Sequence, residues 1–248
     1  MKYVNGYKFK NKYGREFEII DRRVAVGSYY FTVKTNDGFT TEIKSTTVKS
    51  RGVYHPLDKT VRGVGFLGFG PYVTVINYET TPQYKAWSGM IERVYSDTFH
   101  KIQPSYKGCT MHEAWHNFQV FARWFDENSY TIEGERVDID KDILIKGNKH
   151  YGPDTVLFVP QRINAVFVNS AKAAGVRSKL TNTGKYIAHI RINNKAINLG
   201  AYETYEEARA VYMAAKRKAV TEKIETYKGI IPDNVYTKLI NYQLEGDY

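Results

Sequence analysis

GKYIAHIRINNKAINLGAYETYEEARAVYMAAKRK, residues 184–218, is the stretch whose pattern decides the fold class. Its first part alternates. Tyr186, Ala188, Ile190 and Ile192 fall on one face of an extended chain, and Ile187, His189, Arg191 and Asn193 on the other. KAINLGAY reads as a second strand, joined to the first by Asn193-Asn194. The period then changes from two to nearly four. Thr204 with Glu207 three residues on forms a capping box, and Tyr205, Ala208, Val211, Tyr212 and Ala215 make one apolar helical face. Lys216, Arg217 and Lys218 stand in its later turns, where cations suit the helix dipole. A strand pair followed by a covering helix predicts an α+β protein with a sheet backed by a helix.

Working towards the C-terminus, Pro232 is placed to open a last short helix through Asn241. Towards the N-terminus, YKAWSGMIERVYS and EAWHNFQVFARWF carry Trp87, Met90, Ile91, Val94 and Tyr95, and Trp115, Phe118, Phe121, Ala122 and Phe125, at helical spacing. These aromatic stripes are expected in a core, not on a base-stacking platform. The chain before them reads as strands: FEIIDRRVAV, YYFTVKT and FTTEIKSTTV, with the hairpin turn Asn36-Asp37-Gly38 between the second and third. GVGFLGFGP, residues 63–71, has too many glycines for a strand interior and reads as a connection or tight bend. Dividing there and at AKAAGV gives three expected domains: a β-rich basic domain over 1–66, a helical and mixed centre over 67–170, and the sheet-and-helix domain over 171–248.

Composition narrows the function classes. With 42% hydrophobic and 15% aromatic residues the 248-residue chain is too apolar to be a disordered tail. A single cysteine, Cys109, excludes an intrachain disulfide or a cysteine-based zinc cage, and fits a reducing compartment. The start lacks the apolar core of a signal peptide and nowhere do about 18 apolar residues run together, so a soluble, cytoplasmic protein is expected.

Charge is unevenly placed within the net +10. Residues 1–66 hold 13 Lys and Arg against 6 Asp and Glu, the middle 10 against 12, and residues 171–248 hold 13 against 8. Basic ends around an acidic centre fit a polyanion binder whose central carboxylates do something other than grip phosphate. The bland reading is lysine usage for solubility. Arg15, Arg22, Arg23, Lys34, Lys44, Lys49 and Arg51 are compatible with phosphate contacts in the first domain, although a lysine at a strand edge also guards against aggregation.

The middle of the chain, QYKAWSGMIERVYS, then PSYKGCTMHEAWHNFQVFARWFDEN, then VDIDKDILIKGNKHYGPDTVLFVPQRIN, resembles phage proteins described as HNH or homing-type endonucleases. Residues 83–164 carry that resemblance, and YGREFEIIDRR through RGVGFLG looks like the β-rich leader of the same proteins. The tail is similar to the Apetala-type DNA-binding domain fused to many of them, in which a three-stranded sheet enters the major groove and a helix backs it. Duplex DNA in an infected bacterial cell is then the expected partner, with neither membrane nor small-molecule cofactor. The oligomeric state is not legible, and a monomer is favoured. Arg191, Asn193, Asn194, Lys195 and Asn198, with His189, Arg177, Lys179 and Lys185, form the expected DNA-contacting set, Arg suiting guanine and Asn adenine. The bland alternative is an ordinary solvated sheet face.

The resemblance implies a ββα-metal core that cuts a phosphodiester with one Mg2+ or Mn2+ ion. Asp140 stands at the hairpin-ligand position, Asn164 at the helix-ligand position and Asn148 at the loop-shaping position, with Asp142 a second carboxylate and Asp154 a loop-fixing residue. Oxygen ligands of this kind suit those ions better than zinc. The general base of the family follows the hairpin Asp, and here that residue is Lys141, whose ordinary pKa of about 10.4 makes it a poor proton acceptor. Three readings follow: a catalytically inactive DNA-binding or regulatory protein, recruitment of His150, His112 or His116 as base with His150 preferred for its place in the same loop, or Lys141 stabilising phosphate charge. Val94 and Val156 replace cysteines of the family at packing positions, and Cys109 reads as a buried small hydrophobe.

Overall fold

The computed structural model describes residues 3–145, 147–168, 176–177, 184–192 and 195–241, with residues 166–168 and 177 by backbone alone. The fold is mixed α+β and forms two compact units. One comprises the chain up to Lys107 with Met111–Trp124, the other Gly108–Thr110 with the described residues from Phe125 onward. The glycine-rich stretch 63–71 lies inside the first unit.

The first unit opens with a four-stranded antiparallel sheet in sequential order: β1 (Lys8–Lys10), β2 (Glu16–Ala25), β3 (Ser28–Lys34) and β4 (Thr40–Lys44). The hairpin expected at Asn36-Asp37-Gly38 forms. Gly38 takes φ +90°, its amide donates to the Thr35 carbonyl, and Lys34 faces Thr40 across the ladder. Phe17, Ile19, Phe31 and Val33 are completely or almost completely buried from alternate positions of β2 and β3, each contributing about 1.5–3 kcal/mol of burial. The strand expected to run on to Val48 stops at Lys44. Residues Ser45–Ser50 form a short helix, α1, because only a turn of helix brings Val48, five residues beyond Ile43, onto the same core as Val53.

Two short strands, β5 (Val75–Ile76) and β6 (Glu79–Thr80), lead to α2 (Pro82–Tyr95), capped by the Thr81 hydroxyl with Pro82 in its first turn. Trp87, Met90, Ile91 and Val94 form its buried face, as their spacing predicts. α3 (Asp97–Ile102) follows, then β7 (Thr110–Met111) and α4 (Phe118–Asn128). The expected helix over 113–125 is divided: Glu113–His116 form a 3-10 turn, and the α-helix starts at Phe118. Trp115, Phe118, Phe121 and Ala122 are still core residues. The glycine segment packs against this layer. A Cβ on Gly65 would strike the Ile91 side chain, and one on Gly68, at φ +73°, would strike the Asn117 amide.

In the second unit, β8 (Val137–Asp140) pairs antiparallel with β10 (Leu157–Pro160), and α5 (Gln161–Val168) follows directly. β9 (His150–Tyr151) lies in the loop between them, beside Thr110, whose amide donates to the Lys149 carbonyl. A three-stranded antiparallel sheet, β11 (Val176–Arg177), β12 (Tyr186–Ile192) and β13 (Lys195–Tyr202), is backed by α6 (Tyr205–Glu225). α7 (Asp233–Ile240) begins just after Pro232. The capping box is complete: Thr204 accepts from the Glu207 amide and Glu207 accepts from the Thr204 amide, both at 3.2 Å.

α6 serves two cores. Ala208 and Tyr212 pack on the sheet with Val176, Ala188 and Ile190, whereas Val220 and Ile224 join Ile143, Leu157, Val159, Ile163, Val235 and Leu239. The helix behind the three-stranded sheet therefore continues into the core of the strand–loop–strand–helix element. Among the described residues no helix is long and apolar enough to cross a membrane.

Candidate active site and sheet surface

β8 ends on Asp140, opposite Leu157 of β10. The Asp140 Oδ1 accepts from the amides of Asp142 at 2.8 Å and Ile143 at 3.0 Å, which turns the chain sharply out of the strand. Burial pushes its carboxyl above the ordinary carboxylate value, outweighing these two amides. The charge left on Asp140 has little water around it, a setting that favours a compensating cation.

The loop beyond is tied by Asn148. Its Nδ2 donates to the carbonyls of Lys141 at 2.8 Å, His150 at 2.7 Å and Thr155 at 3.3 Å, while its Oδ1 accepts from the His150 amide at 2.8 Å. Thr155 closes the same turn, donating to the His150 carbonyl and accepting from the Gly152 amide. Asn148 thus ties three carbonyls of the loop through one side-chain amide. No local pattern singles out Thr155.

Asn164 stands in the first turn of α5, which packs against β8 and β10. Its Oδ1 is buried and has no hydrogen-bond partner among the described residues. Leaving such an acceptor unmet costs about 1–3 kcal/mol, so it marks either a strained position or one that meets a ligand. The start of α5 is fixed by Glu135, which sequence reasoning missed. Its Oε1 accepts from the Arg162 amide at 2.9 Å, and its Oε2 accepts from the Tyr227 hydroxyl at 2.7 Å. Only the fold reveals that pair, 92 residues apart.

Lys141 is nearly buried and its ammonium is paired with Asp142. His150 is hydrogen-bonded through Nδ1 to the Thr110 hydroxyl at 2.9 Å. His116 is elsewhere, in the first unit, where its Nε2 is bound to the Tyr95 hydroxyl, and His112 is in that unit too. Asp154 lies in the turn after β9. Among the described residues no three His, Cys, Asp or Glu side chains converge as a cation site. Asp140 ends β8, and Asn164 stands in the first turn of α5, the helix that packs against that strand.

On the sheet, the inner face is formed by Tyr186, Ala188, Ile190 and Ile192, as alternation predicts. The register sets His189 opposite Asn198, and Arg191 opposite Ala196, on the other face. Arg191 and Asn198 are exposed, and Asn198 Oδ1 accepts from the Gly200 amide at a bulge. Lys195 is paired with Ile192 and so belongs to the opposite face from Arg191. Lys185 is engaged by Glu203 at 2.6 Å. Arg177 pairs with Ile187 through its backbone. Lys179, Asn193 and Asn194 lie outside the described residues. In the first unit, Arg15 is bound by the buried Asp58 at 2.8 Å and Arg23 by Glu42, so both are partly committed to holding the fold.

No protein-family model matches the chain, and neither a curated protein nor a solved structure matches it.

Proposed function

We propose that this protein binds duplex DNA and cleaves or nicks its phosphodiester backbone at an HNH-type site with one Mg2+ or Mn2+ ion. The observation that carries this reading is the unpartnered, buried Asn164 Oδ1 on the helix that directly follows a strand–loop–strand element whose first strand ends on Asp140. Asp140 and Asn164 would hold the ion, and Asn148 holds the loop that shapes the site. Mg2+ or Mn2+ held by Asp140 and Asn164 would supply positive charge for the phosphodiester and for activating water. His189, Arg191 and Asn198 present donors and acceptors on the open sheet face, where a β-ribbon can meet base edges in the major groove. Because α6 packs under that sheet and also fills the core beside α5, a base-reading surface and a cutting site would be held on one scaffold. The setting we propose is phage DNA metabolism in the bacterial cytoplasm.

The test is relaxation of supercoiled plasmid in Mg2+ or Mn2+. Wild-type protein nicks, and Asp140→Ala and Asn164→Ala lose at least about a hundredfold of the rate. Equal cleavage by all three proteins overturns the assignment.

A second reading, a DNA-binding protein without catalysis, is favoured by the Lys141–Asp142 ion pair, which ties up the side chain that stands where the general base is expected. Lys141→His separates the two. If the site lacks only its base, the substitution raises nicking by about a hundredfold or more. If the protein is purely a binder, no nicking appears while duplex affinity still falls steeply with salt.

A further inference from the structure

An open cleft of about 670 Å3 in the first unit is lined by Lys12, Tyr13, Tyr54, Phe39, Tyr72 and Tyr84 among others. Its size suits a small aromatic ligand. None of its exposed rings is needed for the core. Tyr54 is 50% and Tyr13 38% exposed. Tyr54 is turned outward because its neighbours Val53 and His55 are both buried, and Tyr13 lies on a tight turn whose Asn11 Oδ1 accepts from the amides of Tyr13 and Arg15. The turn and the segment bearing Tyr54 are locked together: Asn11 Nδ2 donates to the Val53 carbonyl at 3.1 Å and to Asp58 at 2.6 Å, and Asp58 also accepts from the His55 amide. The two rings are therefore held in place before any ligand arrives, which lowers the ordering cost of binding.

Lys12 sets the charge of the ligand. Its Nζ donates to the Tyr54 hydroxyl at 2.9 Å and stands 4.7 Å from the Tyr54 ring centre and 5.2 Å from that of Tyr13. Lys12 already places a cation beside both rings, so a second cation is repelled and an anionic aromatic group is attracted. Residues 1–66, with 13 Lys and Arg against 6 Asp and Glu, bias the surroundings the same way. A nucleotide has both required parts, a π-face for the tyrosines and a phosphate for the lysine.

We propose that this cleft binds an unpaired nucleotide of a DNA strand, its base stacked on Tyr54, with the tilted Tyr13 ring 5.9 Å away at its edge, and its phosphate against Lys12. The proposal rests on the DNA-binding reading above and extends it to the single strand. It assigns the first unit a job that the sheet face of the second unit, with few exposed aromatics, is not built to perform.

The experiment is fluorescence anisotropy with a labelled oligothymidylate, the same oligonucleotide with abasic positions, and a labelled duplex, with thymidine monophosphate as competitor. The single strand binds wild-type protein, and Tyr54→Ala and Lys12→Ala each weaken it about fivefold or more. Tyr54→Phe, which keeps the ring, stays within about twofold, and abasic positions weaken wild-type binding to a similar degree as Tyr54→Ala. Duplex affinity is unchanged in Tyr54→Ala and falls in Arg191→Ala. The proposal is overturned if single-strand affinity is unchanged by Tyr54→Ala, if the abasic strand binds as tightly as the intact one, or if only the free nucleotide binds. Loss of duplex binding alone, with the single-strand pattern intact, counts against the sheet-face reading and leaves the cleft standing.

Discussion

Tyr227, in the turn just after α6, donates a hydrogen bond of 2.7 Å to Glu135, the residue whose other carboxylate oxygen accepts from the Arg162 amide in the first turn of α5. The contact joins the helix behind the three-stranded sheet to the helix that carries Asn164. Glu135 is almost fully buried, so its charge depends on these donors, and burial with this bond pushes the Tyr227 hydroxyl up to about 12. Tyr227→Phe keeps the ring in the core and removes the donor. The variant should lose about 1.5–3 kcal/mol of stability, as expected for a hydrogen bond to a buried charge, measured by urea denaturation. A loss below about 0.5 kcal/mol would mean that the contact does not organise the start of α5.

Gly68 sits at φ +73° with its Cα against the Asn117 amide, and its amide donates to the Pro56 carbonyl at 2.8 Å. Gly68→Ala combines an unfavourable backbone conformation with overpacking and should cost about 2–4 kcal/mol. Gly63→Ala, where a Cβ meets nothing within 4 Å but φ is +73°, should cost only the backbone part, about 1–2 kcal/mol. Thermal melts of the two variants, read side by side, check the difference.

Burial holds the His116 imidazole below its ordinary value of 6.5, and its Nε2 is hydrogen-bonded to the Tyr95 hydroxyl at 2.6 Å. The unfolded chain therefore binds more protons than the folded one as pH drops through 6.5. Stability is fully present above that value and declines as pH falls towards the depressed native value. His116→Gln should flatten this part of the curve between pH 7 and 5, measured by denaturant titration at each pH. Parallel curves for the two proteins would show that His116 does not titrate on unfolding.

Much of the architecture was legible because it is local. The alternation in 186–192 and the Thr204–Glu207 cap are set within a few residues, and both form as their pattern predicts. The strand expected through Val48 failed because Ser45–Ser50 carries β-prone residues whose only apolar anchor, Val48, reaches the core through a helical turn. The glycine run 63–71 looked like a boundary because glycine often marks a connection; here Gly65 and Gly68 are small because helices and an amide lie against them. The Glu135–Tyr227 pair and the placement of Lys195 away from Arg191 depend on tertiary contact and strand register, which no local pattern encodes.

Binding of Mn2+ measured by calorimetry tests the central claim most directly, because it asks whether Asp140 and Asn164 form one site without requiring turnover. The wild-type protein should take up one ion per chain, and Asp140→Ala and Asn164→Ala should each weaken that uptake about tenfold or more, as loss of an oxygen ligand does. Lys141→Ala should leave an ion bound. Undiminished uptake in both ligand variants, or none in the wild type with or without duplex DNA, would contradict a metal site built on Asp140 and Asn164.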